Sequence, residues 1–191
     1  MSSISHDEQK ERTRRALIQA AIALIIEHGY DAVTVTDIAD RAGYGRGTFY
    51  LHFENKEDIV WSILRRYFEN LNERIVASLD GSPTPRQAYQ SWLNMFENAG
   101  QLAQFFRLLN GSTAQTMRRR QRDYLVELTG DNLRLGLYPP LDDLPPEFAA
   151  RFLVGATIEL LEWWVISRPD FTAAQMAGLM YRMVFHDEPP E

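Results

Sequence analysis

The sequence contains no cysteine. A chain without thiols cannot form a disulfide scaffold, bind a metal through thiolates or use a cysteine nucleophile, and it fits a reducing compartment. It also has no uncharged apolar run near the ~20 residues of a membrane span, and its first residues, MSSISHDEQKERTRR, lack an apolar signal core. We therefore expect a soluble, cytoplasmic protein with no membrane partner.

An excess of basic charge is absent as well. The formal net charge is −6, and residues 1–56 carry seven Lys and Arg against eight Asp and Glu. A protein that coats nucleic acid through bulk charge is normally basic, so contacts with an anionic polymer must come from locally placed cations. One stretch of the sequence is locally positive: between Arg41 and Lys56 the only other charged residues are Arg46 and Glu54.

Groupings typical of catalysis are missing. There is no G-x-S-x-G, P-loop or G-x-G-x-x-G motif. Glu159 and Glu162 lie three residues apart in a helical pattern, but no carboxylate–histidine helix matches them. The histidines are scattered without metal-ligand spacing: His6, His28, His52 and His186. We predict that the chain is not an enzyme and has no catalytic residue, metal site or cofactor.

Helical spacing dominates what is present, and strand-like alternation is weak. The pattern predicts an all-α fold of about nine helices. They span approximately 8–28, 35–42, 46–52, 56–79, 85–99, 101–109, 112–135, 146–167 and 172–186. Turns are predicted at 80–85, at the proline-rich 138–146 and at 168–170.

Local signals mark the first helix ends. Gly29 follows the first apolar stripe and is a candidate left-handed cap. Thr34 and Asp37 have the spacing of a capping box, and Asn55 can cap a long helix. These signals predict three helices before a long fourth one.

The stretch "GYGRG" lies between two short helices, which is typical of a helix-turn-helix. Gly43 provides the positive φ of a tight turn, Gly45 leaves the next helix entry without a side chain, and Gly47 allows close backbone approach. Arg46 then projects from the first turn of the second helix. An arginine there can bond guanine O6 and N7 in the major groove.

Phosphate-binding groups surround this arginine. Tyr50 falls on a different helix face from the inward-facing Phe49, and with His52 and Lys56 it can reach phosphates. Thr34 adds a hydroxyl beside a helix N-terminus. A lysine is mildly unfavourable at a helix start, so a phosphate partner gives Lys56 a reason to be there.

The stretch "TVTDIADRAGYGRGTFYLHFENKEDI" resembles the signature of the TetR family of bacterial transcriptional regulators. The matching positions are Thr34, Ile38, Ala39, Ala42, Gly43, Gly47, Thr48, Phe49, Tyr50, Phe53, Lys56 and Ile59. Gly45 stands where the family often has Ser, which removes a capping hydroxyl and one phosphate donor.

This resemblance implies an all-helical homodimer that represses transcription until a small molecule binds its C-terminal domain. It implies a helix-turn-helix DNA-binding domain over residues 1–54, joined through a long helix to a ligand-binding and dimerisation domain over 55–191. The expected partners are double-stranded palindromic operator DNA, a small-molecule effector and a second copy of the chain. The base contacts implied are Tyr44, Arg46, Gly47 and Thr48. The phosphate contacts implied are Thr34, Tyr50, His52 and Lys56.

The C-terminal part is rich in aromatic residues, most of which must form its core. A pocket between helices with apolar walls is nevertheless a common ligand site. We expect a hydrophobic or aromatic effector, and a cation that rests on an aromatic ring stays open. The candidate pocket residues are Trp92, Phe96, Phe105, Met117 and Tyr124.

The last two predicted helices have apolar positions on more than one face. They need two partners, which predicts packing against both the domain core and another subunit; a fully internal helix pair is the alternative. The candidate interface residues are Phe152, Ala156, Leu160, Trp163, Met176, Met180 and Met183.

Two other interpretations stay open from the sequence. The chain can instead be an all-helical ligand-binding or scaffolding protein whose helix-turn-helix mediates protein contacts. A cluster of arginines can be a solvated face paired with acidic neighbours, or a second site for an acidic ligand or nucleic acid. Its members are Arg118, Arg119, Arg120 and Arg122.

Overall fold

The computed structural model describes residues 6–77, 84–109, 111–136, 138, 141, 143–167 and 170–190, with side chains for all but 74–77, 101 and 102. Eight α-helices and no strand occur in these ranges, which confirms the all-α prediction. They are α1 His6–His28, α2 Val35–Arg41, α3 Arg46–Tyr50, α4 Lys56–Ala77, α5 Pro85–Arg107, α6 Gly111–Arg134, α7 Pro146–Ser167 and α8 Ala173–Phe185.

Two predictions fall largely outside the described residues: the turn over 80–83 and the end of the long helix near 79. The same holds for most of the proline-rich loop and for 168–169. Among the helices that the structure describes, none combines the length and the apolar character that crossing a lipid bilayer requires.

The chain forms two compact units. The first takes in Met1–Arg66 and Phe106–Met117, and the second takes in Tyr67–Phe105 and Arg118–Glu191. Helices α4, α5 and α6 therefore contribute to both units. The predicted division between residues 54 and 55 distinguishes a DNA-binding from a ligand-binding part, not two groups of contacting residues. It stays a prediction.

Helix α1 buries the stripe that its spacing predicts. Leu17, Ala21 and Leu24 are buried, whereas His28 at the end of the stripe is exposed. Gly29 ends the helix at φ +79°, with its N–H donating to the carbonyl of Ile25 at 2.9 Å. This left-handed conformation confirms the predicted glycine cap.

The capping box of α2 is formed as predicted. The hydroxyl of Thr34 accepts from the N–H of Asp37 at 3.1 Å, and the carboxylate of Asp37 accepts from the N–H of Thr34 at 2.8 Å. Val33 and Ile38 on either side are buried, which is the arrangement of a hydrophobic staple. The start of α2 is thereby fixed by local contacts.

A glycine turn connects α2 to α3. Gly43 has φ +78°. Its N–H donates to the carbonyl of Asp40 at 3.0 Å, and the N–H of Tyr44 donates to the carbonyl of Ala39 at 2.9 Å. These two bonds satisfy carbonyls at the end of α2 that have no helical partner. The short helix α3 follows and is held by Phe49, whose side chain is fully buried.

Helix α4 begins where the sequence predicts. The side-chain oxygen of Asn55 accepts from the N–H of Asp58 at 2.9 Å, which satisfies one orphan donor of the first turn. The acidic Glu57 and Asp58 lie in that turn, where negative charge is favourable.

The core of the second unit comes mainly from α5, α7 and α8. Aromatic rings fill much of it: Tyr181 stacks on Phe185 with centroids 4.5 Å apart, and Trp92 contacts Tyr138 with centroids at 5.7 Å. The indole N–H of Trp164 donates to the carbonyl of Phe171 at 2.9 Å. Because α7 and α8 both have residues in this core, each presents one face inward.

One helix break predicted from the sequence is wrong. The pattern predicts separate helices over 85–99 and 101–109, but α5 continues through Gly100 to Arg107. A glycine inside a helix costs only about 1 kcal/mol relative to alanine. The burial of Trp92, Phe96 and Ala99 along the same helix outweighs that penalty.

The arginine cluster on α6 lies on an exposed face. Arg118 donates to the carboxylate of Glu162 on α7, so the pairing with an acidic neighbour that the sequence left open is present. Arg119, Arg120 and Arg122 are exposed.

We predict different effects of alanine on the free energy of unfolding at two nearby glycines. Gly43→Ala should lower the free energy of unfolding by about 1–2 kcal/mol, because its φ of +78° strains any side chain. Gly47→Ala should preserve or raise it by up to ~1 kcal/mol, because Gly47 is helical and no atom lies within 4 Å of an added Cβ. Urea unfolding followed by circular dichroism measures both, and equal effects would contradict the assigned turn.

Candidate nucleic-acid interface

Helix α3 has one buried and one exposed face. Phe49 points into the core, and its ring contacts Phe53 with centroids 5.6 Å apart. Arg46, Gly47 and Tyr50 are exposed. The sequence prediction that Tyr50 lies on a different face from Phe49 is therefore confirmed.

Arg46 and Tyr50 form a pair on the exposed face. A guanidinium nitrogen of Arg46 donates to the hydroxyl of Tyr50 at 3.2 Å, and its carbon lies 5.6 Å from the ring centroid. Contacts of this kind at exposed sites contribute about 0.5–1 kcal/mol. A guanidinium has five N–H donors, so the pair orients the group and leaves donors for a further partner.

Arg41 is used differently. Its guanidinium forms two hydrogen bonds, at 2.7 and 2.8 Å, with the two carboxylate oxygens of Glu27 at the end of α1. The bond from Arg41 is the main reason why the pKa of Glu27 is lowered. The charge of Arg41 is thus neutralised locally, whereas Arg46 forms no ion pair with a carboxylate among the residues that the structure describes.

Lys56 turns towards the protein. Its ammonium donates to the carbonyls of Tyr30 at 2.7 Å and of Val33 at 2.8 Å, and lies 3.8 Å from the centroid of the Tyr30 ring. Burial lowers its pKa. These contacts give the lysine a structural reason to stand at the start of α4, in addition to the predicted phosphate. One of its three N–H donors remains.

Tyr30 extends this contact to a distant segment. Its N–H donates to the carbonyl of Leu108 at 3.1 Å, and its hydroxyl bonds the side chain of Thr113. Burial is the main cause of its raised pKa. The turn after α1 is therefore joined both to the start of α4 and to the start of α6.

His52 has one nitrogen facing the protein. Its Nδ1 is buried and has no hydrogen-bond partner among the described residues. A buried N–H without an acceptor is less tolerable than a buried lone pair, so we assign the proton of the neutral ring to Nε2. Desolvation is the main cause of its lowered pKa, with further lowering by Lys10 and Arg14 and a raising effect of Glu11.

From the sequence, the arginines of α1 can be a solvated helix face or an arm that contacts the DNA backbone, and the structure places Arg14 beside this surface. Arg14 lies with its guanidinium carbon 5.2 Å from the ring centroid of Phe53, and it affects His52, as does Lys10. These cations are on the same unit as α3 but are distant in sequence. No local spacing signals such a contact.

The remaining predicted DNA contacts differ in their surroundings. The hydroxyl of Thr34 also donates to the carboxylate of Asp37 at 2.7 Å, so its proton is used within the cap and a negative charge lies beside it. Of the predicted phosphate contacts it therefore has the least favourable environment. Tyr44 and Thr48, predicted for the groove, are partly exposed.

The second unit contains a cavity of about 70 Å³ lined by residues of α4, α5, α6 and α7 and by Tyr138. Of the five predicted pocket residues, only Trp92 lines it. Phe96 is buried in the neighbouring core, Tyr124 packs against Phe68 with centroids 6.4 Å apart, and Met117 belongs to the first unit. Phe105 is partly buried elsewhere on α5.

The predicted dimer residues divide between two faces. Met176 and Met180 are only 2 % and 4 % exposed and lie in the core of their own unit. Phe152 and Met183 are 56 % and 73 % exposed, and Trp163 is also exposed. Ala156 and Leu160 are intermediate. Further exposed apolar residues on the two helices are Phe148, Ile166 and Leu179.

Comparison with known families and proteins gives consistent relatives. Residues 17–63 match the model described as bacterial regulatory proteins, tetR family. Over 188 residues the chain is 28% identical to the HTH-type transcriptional repressor KstR2 of Mycobacterium tuberculosis, covering 91% of this chain and 90% of that protein.

Solved structures share the fold at low sequence identity. A putative TetR-family transcriptional regulator from Syntrophomonas wolfei has a TM-score of 0.68 at 20% identity, covering 93% of this chain and 94% of that one. The complex of SmeT with triclosan has a TM-score of 0.63 at 22% identity, covering 94% and 92%; SmeT is a repressor of a Stenotrophomonas maltophilia efflux pump.

We predict that His52 makes stability depend on pH. Because its pKa in the folded protein is below the ordinary 6.5, the unfolded chain binds the proton more readily. Stability should be fully present above pH ~6.5 and should decline as the pH falls below that value. Thermal melting between pH 5 and 8 measures this decline.

The decline should be smaller in His52→Gln, whose amide keeps a donor near the position of Nε2. His6→Gln, at the exposed start of α1, is the matched control and should retain the wild-type decline. If His52→Gln lost as much stability on acidification as the parent, the proposed environment of the imidazole would be wrong.

Proposed function

We propose that this chain, whose residues 17–63 match the model of bacterial regulatory proteins of the tetR family, is a TetR-family repressor. It binds palindromic operator DNA as a homodimer in the cytoplasm until a small molecule releases it. The exposed pair of Arg46 and Tyr50 on α3 is the observation that carries the proposal. It lies within the residues that match the family model and at the N-terminal end of the second helix of a helix-turn-helix, which reads the major groove.

We assign base recognition to the N-terminal part of α3 and its turn. The oriented guanidinium of Arg46 suits the two acceptors of a guanine edge, a contact that provides roughly 1–3 kcal/mol of discrimination. The exposed backbone at Gly47 permits close approach of the helix to the groove. The proposed groove contacts are Tyr44, Arg46, Gly47 and Thr48.

We assign phosphate binding to groups around this helix. The Nε2–H assigned to His52 and the N–H of Lys56 that bonds neither carbonyl can donate to phosphates, and Tyr50 is exposed. Such contacts fix the register on the duplex without reading sequence. The proposed phosphate contacts are Thr34, Tyr50, His52 and Lys56.

The exposed apolar stripe of α7 and α8 supports a two-fold dimer. Phe148, Phe152, Trp163 and Ile166 recur on one face of α7, and Met183 is exposed on α8. Water-exposed aromatic rings in such a row are typical of a protein interface. A two-fold axis places a second copy of α3 in the dimer. Two copies of α3 match the two half-sites of a palindromic operator.

The cavity in the second unit is the proposed effector site. It is lined by residues of α4 and α6, and each of these helices also begins in the first unit, at Lys56 and beside Thr113. A ligand that displaces either helix therefore acts on the bonds that Tyr30 makes with Lys56 and Thr113. This continuity supports coupling between ligand and DNA, because each site biases the same contacts.

Two substitutions should separate the proposed DNA contacts. Arg46→Ala should weaken binding to the operator by roughly 10-fold or more and relax sequence preference. Lys56→Ala should weaken binding to all duplexes alike and reduce its salt dependence. Fluorescence anisotropy with operator and scrambled duplexes at two salt concentrations measures both effects.

Lys56→Ala also removes two bonds to buried carbonyls, so its melting curve must be recorded beside the binding data. The operator is obtained first by selection from a random duplex pool. If both substitutions lowered the affinity for every DNA sequence by the same factor, the assigned roles would be refuted. A protein whose binding to duplexes ignores salt would instead be the helical scaffold that the sequence left open.

We expect charged residues in the exposed stripe to separate the subunits. Phe152→Glu with Met183→Glu should give a monomeric mass by light scattering, because two carboxylates cannot be buried unpaired in an apolar interface. Operator affinity should fall by about 100-fold or more, since the two reading helices are no longer linked. Gln104→Glu, exposed on α5, is the control; an unchanged dimer mass in the double variant would exclude this surface.

A further inference from the structure

The cavity of the second unit is polar but uncharged. None of the described residues that line it is Asp, Glu, Lys, Arg or His. Its polar groups are three amides, from Asn72, Asn94 and Asn132, together with the hydroxyls of Ser91, Thr129, Thr157 and Tyr138. Building on the proposed function, we infer that the effector is an uncharged molecule with an apolar ring body and a hydroxyl or carbonyl group.

The amides offer both kinds of hydrogen bond. The NH₂ of Asn132 donates to the side-chain oxygen of Asn72 at 3.2 Å, which leaves the NH₂ of Asn72 and the oxygen of Asn132 for another molecule. The side-chain oxygen of Asn94 accepts from Gln90 at 3.2 Å, which leaves its NH₂ as a donor. One asparagine comes from each of α4, α5 and α6, so a single ligand group can bridge these helices.

The hydroxyls of Tyr138 and Ser91 bond each other. Tyr138 is buried, and burial raises the pKa of its phenol. The phenol therefore stays neutral at physiological pH and adds no charge to the lining. A hydroxyl or carbonyl group on the ligand can exchange hydrogen bonds with this pair without ionisation.

Apolar side chains complete the walls. Trp92 and Phe68 supply aromatic surface, and Leu125, Leu153 and Ile158 supply aliphatic surface. A carboxylate or an ammonium in this site would lose part of its hydration without gaining a counter-charge. A neutral ring loses only apolar hydration, so charge should decide which ligands bind.

The size of the cavity adds a second requirement. Its volume of about 70 Å³ is well below the ~150 Å³ of a cavity that holds benzene. A ring-sized ligand must therefore widen the space between α4, α5, α6 and α7. Binding that requires such widening displaces helices that continue into the first unit, which is how occupancy can reach the DNA-binding residues.

Three probes of equal ring size test the charge requirement: 2-naphthol, 2-naphthoate and 2-naphthylmethylammonium. Binding to the full-length protein at pH 7 is measured by calorimetry without DNA. The neutral naphthol should bind at least 10-fold more tightly than either ion. Asn132→Leu should weaken naphthol binding several-fold, and Asn132→Lys should shift the preference to 2-naphthoate. Asn70→Lys, exposed on α4, should behave as wild type.

Circular dichroism measures whether each variant is folded. If Asn132→Lys does not fold, the comparison of the three probes on the wild-type protein still tests the inference. Tighter binding of either ion, no binding of naphthol up to millimolar concentration, or insensitivity to Asn132→Leu would overturn the inference. Release from operator DNA is measured separately. If naphthol binds with the expected preference but leaves the DNA complex intact, the ligand class holds and the proposed release fails.

Discussion

The ammonium of Lys56, held between two carbonyls and the ring of Tyr30, is the contact that joins distant segments of the first unit. It joins the start of α4 to the turn between α1 and α2, and the same tyrosine bonds Leu108 and Thr113 at the entry to α6. Neither the lysine nor the carbonyls would be stable there alone, because a partly buried charge and buried acceptors each need a partner. The start of α4 is therefore held by residues that lie far from it in sequence.

The electrostatics of the first unit follow from selective pairing of its cations. The chain is acidic overall, so only cations that are not neutralised can attract a phosphate backbone. Arg41 is neutralised by Glu27, whereas Arg46 bonds a neutral hydroxyl. Two arginines five residues apart thus have different roles, and the difference comes from which neighbour folds against each.

Local features of this fold could be predicted from the sequence because their causes are local. The capping box at Thr34, the positive φ of Gly29 and Gly43, and the opposite faces of Phe49 and Tyr50 each depend on residues within one or two turns. The carbonyl partners of Lys56 lie 23 and 26 residues away, and no spacing rule identifies them. For the same reason the sequence did not identify the residues that line the cavity of the second unit: a cavity between four helices is defined by packing, which helical periodicity does not determine.

The small size of the cavity has a thermodynamic consequence for the proposed regulation. Under the proposed regulation, a ligand that needs a wider cavity favours a state in which α4 and α6 are displaced, and DNA favours the state in which the Tyr30 contacts are intact. If these are two states of one equilibrium, each ligand must weaken the other by the same factor. Coupling then requires no contact between effector and DNA, only that both bias the same two helices. Under this proposal a small cavity favours coupling between effector and DNA. A cavity that already had the size of the ligand could be filled without moving either helix.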